Sequence, residues 1–407
     1  MKKQMKTVSA VMMLAMMLTG CRTTDTADYY NNAFENVHWF SIGEVIYRGS
    51  QFSPPTQYHS GFDAPLEGLC RDPLCTHEDI DTPCPDYNGV MNRTCCTDGE
   101  KIYFSVIDHA LNRRICSINP DGSEYRLLLS AEYMQKTSHS AGDLIYSDDT
   151  IYYQQSMYDD ATGKESIAIM CLSVHGGTPE EALDMRFEPG IMHFVDRECY
   201  YILDITPYYA YEQSLTVIDR ETGRITENIR PEGYGVERVH TYRNETYIIC
   251  AEGIPETDYE TITEQTSLRA YRFRNGEYEL IAENFISYTF ADGGFWYHPF
   301  EIEYYGTVMS PTGKGSETAP ADIIRNTNNM LTRVDLADGS TKTWAFDRFD
   351  EGYVPLLYGI SDGAAIVSMS SPKLWYENYE NGGYHAAIHK YQLNDDGTVT
   401  DLGEFKK

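Results

Sequence analysis

The chain has 407 residues, whereas a single hydrophobic core stops growing at about 250–300, so it needs either several domains or a repeating array. Hydrophobic residues make up 42% and aromatics 13%, too much apolar material for a disordered chain. Thirty-two basic residues against 62 acidic ones leave a net charge of −30, which opposes binding to nucleic acid or to anionic lipid headgroups.

The chain opens with the cationic run Met1-Lys2-Lys3-Gln4-Met5-Lys6, continues with an apolar stretch from Thr7 to Leu18, and reaches Leu18-Thr19-Gly20-Cys21. That order is a secretory signal. The apolar stretch holds 12 residues, against roughly 20 for a membrane-spanning helix, so cleavage is expected rather than permanent insertion. The ending resembles the lipobox of bacterial lipoproteins, which implies that residues 1–20 are removed and that Cys21 becomes the diacylated N-terminus at the extracytoplasmic face of the cell membrane. An ordinary secretory peptide with an incidental Cys is the alternative. Removal takes away three lysines and no acid, leaving −33 on the mature chain. Residues 21–36, polar with Thr, Asp and Asn, read as a tether, and residues 37–407 as one domain.

Beyond the tether, Phe40-Ser41-Ile42-Gly43-Glu44-Val45-Ile46-Tyr47-Arg48 reads as two strands around a turn, with further strands near 57–62 and 67–70. From about residue 90 the pattern becomes periodic. A polar turn followed by an aromatic strand begins at Asp98, Asp148, Asp196, Asn244, Asp292 and Asp362, at intervals of 50, 48, 48, 48 and 70. A second motif, a strand running into a Gly turn, interleaves with the first and turns at Gly122, Gly176, Gly223, Gly276, Gly339 and Gly397. Each unit therefore holds four strands, a–b joined by the first turn and c–d by the second. Four-stranded repeats of 40–50 residues are β-propeller blades. The expected fold is all-β, a propeller of seven four-stranded blades, with six to eight as the range. Two unrelated β-sandwiches are the alternative, which does not explain two turns alternating at fixed phase.

The Tyr-rich b strands and the strand–Asp–x–x–x–Gly connections resemble low-density-lipoprotein-receptor-type propellers. Together with the run Cys70-Arg71-Asp72-Pro73-Leu74-Cys75-Thr76-His77 and the later Cys84-Pro85, they also resemble secreted Gram-positive lipoproteins with propeller domains of unknown function. The receptor-type Tyr-Trp-Thr-Asp tetrapeptide is absent. The resemblance implies a fold and an address, and no activity.

The a–b and c–d turns are short, whereas the b–c segments, near 156–166, 205–214, 252–267, 299–329 and 369–385, are long and read as loops. Long loops on a rigid scaffold are where binding usually sits. They carry Tyr158, Tyr208, Tyr209, Tyr211, Tyr259, Tyr304, Tyr305, Trp375, Tyr376, Tyr379 and Tyr384 among acids and amides, which suits stacking on sugar faces or grasping a peptide. The competing role for these rings is packing the loops against each other. Cys70, Cys75, His77 and Cys84 could close a tetrahedral zinc site, but the C-x4-C-x-H-x6-C spacing is looser than compact zinc pairs, and disulfides or neither remain open. Cys116, Cys171, Cys199 and Cys250 lie in apolar strands and read as buried thiols.

No G-x-S-x-G elbow, H-E-x-x-H helix or phosphate loop occurs. Carboxylate pairing is uninformative with 62 acids present. Two functions remain in view. One is a monomeric, membrane-tethered binding protein for a glycan or a protein ligand; the other is a surface hydrolase of carbohydrate or peptide using carboxylates near a central channel.

Overall fold

The computed structural model describes residues 32–34, 37–42, 45–50, 57–59, 67–76, 95–107, 113–129, 144–159, 161–206, 213–229, 234–243, 245–252, 261–262, 267–274, 276–299, 301–311, 318–326, 329–346, 354–361, 363–370 and 387–404. Among the described residues every regular element is a β-strand, and no helix is long and apolar enough to cross a membrane. The signal segment and Cys21 lie outside the described residues.

The first sheet is a meander of β1 (Asn32–Phe34), β2 (Val37–Ile42), β3 (Val45–Ser50), β4 (Gln57–His59) and β5 (Glu67–Gly68). The second holds β6 (Cys95–Thr97), β7 (Ile102–Ile107), β8 (Arg113–Ile118) and β9 (Arg126–Leu129). The third holds β10 (Ile145–Ser147), β11 (Thr150–Asp159), β12 (Lys164–Ser173) and β13 (Glu180–Glu181); the fourth holds β14 (Ile191–Val195), β15 (Cys199–Asp204), β16 (Ser214–Asp219) and β17 (Ile225–Ile229). A seven-stranded sheet follows. It begins with β18 (Tyr234–Tyr242) and β19 (Glu245–Glu252), passes over β20 (Thr261–Ile262), and continues through β21 (Leu268–Arg274), β22 (Glu277–Ala291) and β23 (Gly294–Pro299). It then skips the hairpin β24 (Ile302–Pro311) and β25 (Thr318–Asn326) and ends with β26 (Met330–Asp335) and β27 (Thr341–Ala345). The last sheet is β28 (Val354–Ser361), β29 (Ala364–Ser370), β30 (Ala387–Leu393) and β31 (Val399–Glu404).

The 15-residue β22 explains the seven-stranded sheet. Its first part pairs with β21 as far as Phe285, a register shift follows, and Ser287–Ala291 pairs with β23. One strand thus closes one four-strand meander and opens the next. In every meander we call the strands a to d outward from the strand beside its counterparts in neighbouring sheets. The a strands β6, β10, β14 and β18 lie side by side in series, as do β22, β28 and β2.

Consecutive residues of one strand feed two different cores. Tyr153 packs with Cys96, Tyr103 and Ile115 of the second sheet, whereas its neighbour Tyr152 packs with Val195, Tyr200 and Ile218 of the fourth. The same division recurs further along. Tyr201 and Leu215 meet Val236 and Ile248, while Trp296 and Trp344 meet Leu357 and Val367. A sheet covered on both faces needs apolar residues at both parities, which is why its strands read as continuous aromatic and aliphatic runs.

The turns are built from aspartates. Asp98 Oδ1 accepts from the Glu100 and Lys101 amides at 2.8 and 2.6 Å while Oδ2 accepts from the Tyr103 hydroxyl at 2.7 Å. Asp196 repeats the arrangement with the amides of Glu198 and Cys199 and the hydroxyl of Tyr201. Asp148-Asp149 and Asp292-Gly293 instead form two-residue turns with positive φ at both positions, the form that matches strand twist. Neighbouring sheets are stapled at matching positions. Arg71 donates to the Asp121 carbonyl, Arg126 to the His175 carbonyl and Trp344 Nε1 to the Asn394 carbonyl, across 50, 49 and 50 residues. The sequence period is therefore also the spacing of the contacts that join sheets.

Candidate functional site at the b–c ends

Because each meander is antiparallel, its a–b and c–d turns lie at one end and its b–c connection at the other. Among the described residues, the connections at the turn end are two to seven residues long. Two b–c connections, by contrast, extend as regular strands rather than the loops expected from sequence. β11 and β12 stay paired out to Asp159 opposite Lys164, so the expected loop 156–166 is a hairpin. Asp159 closes it by accepting from the Ala161 amide at 2.8 Å and the Thr162 hydroxyl at 2.8 Å, with Gly163 at φ +67°. These turn bonds hold the Asp159 carboxyl below its ordinary range. Tyr158 stands beside this turn and is 68% exposed. Beyond the packed body both faces of the hairpin meet water, so its residues lose apolar alternation and resemble a loop.

The segment 299–329 forms the β24–β25 hairpin, whose strands pair from Ile302 opposite Asn326 to Pro311 opposite Thr318. The register shifts between Tyr304 and Gly306, which leaves Tyr305 as the extra residue of a β-bulge. Bulges bend a strand and re-aim its side chains. From the preceding b–c segment, β20 adds to β25 in parallel, Thr261 opposite Asp322 and Ile262 opposite Ile323. Two b–c segments that look independent in sequence thus share one three-stranded sheet. Tyr208, Tyr209, Tyr211, Trp375, Tyr376 and Tyr379 lie outside the described residues.

Cys70 and Cys75 flank a turn in which the Cys75 amide donates to the Asp72 carbonyl at 3.2 Å and the Leu74 amide to Asp72 Oδ1 at 2.9 Å. Cys75 is a free, half-buried thiol, and Cys70 Sγ lies 3.9 Å from the Asp72 carbonyl. His77 and Cys84 lie outside the described residues, and among the described residues no three His, Cys, Asp or Glu side chains converge on one point. Of the other thiols, Cys116 and Cys250 are buried as expected, and burial pushes them up to about 11 and about 12. Cys171 and Cys199 are only half-buried, a departure from the expected burial; Cys199 opens β15 next to its turn, and Cys171 lies near the end of β12. Raised thiols of this kind are poor nucleophiles and poor metal ligands at neutral pH.

The a strands carry polar groups that no sequence motif announced. Glu237 is the extra residue of a β-bulge in β18, since Val236 pairs with Cys250 and Arg238 with Ile249. It is partly accessible, yet burial raises its carboxyl above the usual carboxylate range against the opposing pull of Arg238. On the same strand His240 Nε2 lies 2.8 Å from the Tyr288 hydroxyl of β22. Burial, reinforced by Arg238, holds that imidazole well below its ordinary pKa and therefore neutral. A carboxyl with a raised pKa and a neutral imidazole on one inner strand are groups of the kind that serve acid–base chemistry. Only the bulge distinguishes Glu237 from the many other acids, and bulges leave no reliable sequence mark.

No protein-family model matches the chain, and no curated protein matches it. Among solved structures, a chain from a structural and mechanistic analysis of two prolyl endopeptidases is similar at 11% identity and a TM-score of 0.50, over 92% of this chain and 49% of that one. The β-propeller domain of the trilobed protease from Pyrococcus furiosus is similar at 10% identity and a TM-score of 0.41, over 76% of this chain and 83% of that one. A computationally designed protein, Ika8, is similar at 8% identity and a TM-score of 0.44, covering 93% and 87%. The chain spans about half the length of the endopeptidase chain it resembles. At such identities the likeness concerns fold: an all-β chain of mostly four-stranded sheets, with β-propeller domains among its structural neighbours.

Proposed function

We propose that this protein is a lipid-anchored, extracytoplasmic β-propeller of seven blades that binds a glycan or protein ligand at its b–c side. Seven blades follow if β22 is shared between two of them, and closure is supported by the approach of β28 to β2. The anchor is Cys21, on the strength of the leader that precedes it. The observation that carries the binding role is the asymmetry between the two ends. The turn end has short connections, several of them capped by aspartates, while at the other end β11 and β12 stay paired to an exposed tip and a further hairpin, β24–β25, is inserted, which recruits a strand from the neighbouring connection. Proteins elaborate the end that meets a partner. Glycan-array and pull-down screens on the full chain test this, with Tyr208, Tyr209, Trp375 and Tyr376 each changed to Ala. A ligand whose binding falls at least tenfold in these variants supports the role, and unchanged binding in all four removes these rings from it.

A second reading, a surface hydrolase of peptide or carbohydrate, is favoured by Glu237, whose carboxyl is raised, on the same inner strand as a neutral His240, and by the fold likeness to a prolyl endopeptidase chain. It requires turnover of a peptide or glycoside substrate that Glu237→Gln abolishes. A broad substrate screen with no turnover removes it.

A further inference from the structure

Strand β1 lies within the segment that reads as a polar tether in sequence, and its direction has an outcome for the whole molecule. It pairs antiparallel with β2, Asn32 opposite Trp39 and Phe34 opposite Val37. β2 is the a strand of its sheet, beside β28, so β1 sits on the inner side of the sheet, opposite β3. β2 runs toward the a–b turn that leads into β3. β1 therefore runs the other way, and the residues before Asn32 approach from the a–b turn end.

We infer that the protein stands on its membrane with the a–b and c–d turns toward the lipid and the β11–β12 and β24–β25 hairpins pointing outward. The inference rests on the proposed anchor at Cys21. Eleven residues, 21–31, separate that Cys from β1, and they reach at most ~37 Å fully extended. About 10 Å of that is used in running past Ser41 and Ile42 to the turn end, at ~3.3 Å per residue. The route around the outside to the b–c end is longer. It uses the same ~10 Å to the turn end, then crosses four strands at ~4.8 Å spacing, ~19 Å, and climbs the height of the six-residue strands of this sheet, ~20 Å, for a total of about 49 Å. A tether of this length holds the turn end close to the bilayer and leaves the elaborated end free to meet a large partner from outside. The charge agrees, since the mature chain at −33 gains nothing by lying flat on anionic lipid.

The two ends of one hairpin provide the test. Thr178, in the c–d turn of the third sheet, and Thr162, at the β11–β12 tip, are both exposed and lie at opposite ends of β12. Each is replaced in the full chain by an azide-bearing residue (Thr178→azidophenylalanine, Thr162→azidophenylalanine) and coupled to a donor dye. The lipidated protein is placed in vesicles containing an acceptor-labelled lipid, and the mass of its N-terminal peptide reports whether Cys21 is acylated. A second arm carries Cys21→Ser with six histidines inserted before Arg22 and is captured on nickel-chelating lipid. Energy transfer several-fold stronger from position 178 than from 162 in both arms is the expected result. Equal transfer, or stronger transfer from 162, overturns the orientation. An unacylated Cys21 in the first arm with the gradient intact in the second refutes the anchor and supports the orientation.

Discussion

Asp196 offers the sharpest test of how the sheets are joined. Its Oδ1 holds the Glu198 and Cys199 amides at 2.8 and 2.7 Å, and its Oδ2 holds the Tyr201 and Thr246 hydroxyls, both at 2.6 Å. Tyr201 belongs to the fourth sheet and Thr246 to the fifth, so one carboxylate both caps a turn and ties two sheets together. Both hydroxyl-bearing residues are buried. In Asp196→Ala the two hydroxyls lose this acceptor and keep their mutual 3.2 Å contact. Because the hydroxyls keep each other, losing the acceptor costs roughly 1–1.5 kcal/mol per buried donor, the low end of the usual range, and the cap adds about 1, so the expected total is about 3–4 kcal/mol. With an unfolding entropy of ~2.1 cal/mol/K per residue over the folded part, that corresponds to a Tm lower by about 4–5 °C in scanning calorimetry. Asp338→Ala is the control: Asp338 is exposed and accepts only within its own turn, from Ser340 at 2.8 Å, so its Tm stays within about 1 °C. A double-mutant cycle of Asp196→Ala with Thr246→Val should show coupling of about 1 kcal/mol or more. Equal Tm losses at Asp196 and Asp338, or no coupling, refute the assignment of Asp196 as a tie between sheets.

Arg220 joins the third and fourth sheets by donating to the Tyr152 hydroxyl at 2.6 Å and to the Asp196 carbonyl, with its guanidinium over the Tyr152 and Tyr200 rings. Arg220→Met should cost about 2–3 kcal/mol in urea unfolding, and Arg220→Lys should recover less than half of it, because an ammonium cannot reproduce the planar fork. His298 is fully buried, its Nδ1 lies 2.9 Å from the Met330 carbonyl, and burial lowers its pKa to about 4. The unfolded chain then binds the proton more readily, so stability is complete above pH ~6.5 and falls as pH drops toward 4, by up to about 3 kcal/mol. His298→Gln should flatten that slope in chemical denaturation at pH 7, 6 and 5; an unchanged slope counts against His298 as its source. Gly122 has φ +83° and a Cβ there would collide with the Leu69 carbonyl oxygen, whereas Gly223 at φ +66° faces open space. Gly122→Ala should therefore lower the Tm clearly more than Gly223→Ala, and equal shifts would mean that the first and second sheets are not in contact there.

Much of the fold was legible because it is repetitive. The aspartates at 98, 148, 196 and 292 do stand at the a–b turns, and the Gly turns at 122, 176, 223, 339 and 397 do join c to d. These positions speak through backbone chemistry, which is local: a carboxylate can cap two amides, and glycine can adopt positive φ. The candidate site was less legible. Tyr158 was identified and is exposed, but 156–166 and 299–329 read as loops because Asp159 and Gly163 in the first, and Gly306, Pro311 and Pro320 in the second, are turn-forming residues, whereas the backbones pair as hairpins. β20, only Thr261 and Ile262, is too short to leave a pattern and exists through its pairing with β25. Asn32–Phe34 looked like tether for a related reason, since a three-residue strand draws its stability from β2.

The all-β class, the strand order within each repeat and the turn chemistry can be read from the residues alone, because these depend on periodicity and on residues within about five positions of each other. The tertiary structure decided which sheets share a strand, which carboxyl on an inner strand is pushed toward its protonated form, and which way the chain enters. β22 serves two meanders because one continuous run of 15 residues bends at a register shift, and Glu237 is distinguished by a bulge and its surroundings. The direction of β1 depends on a pairing with β2 across two intervening residues. Each of these depends on contacts in space whose energies no single segment carries, which is why they become visible only when the sheets are assembled.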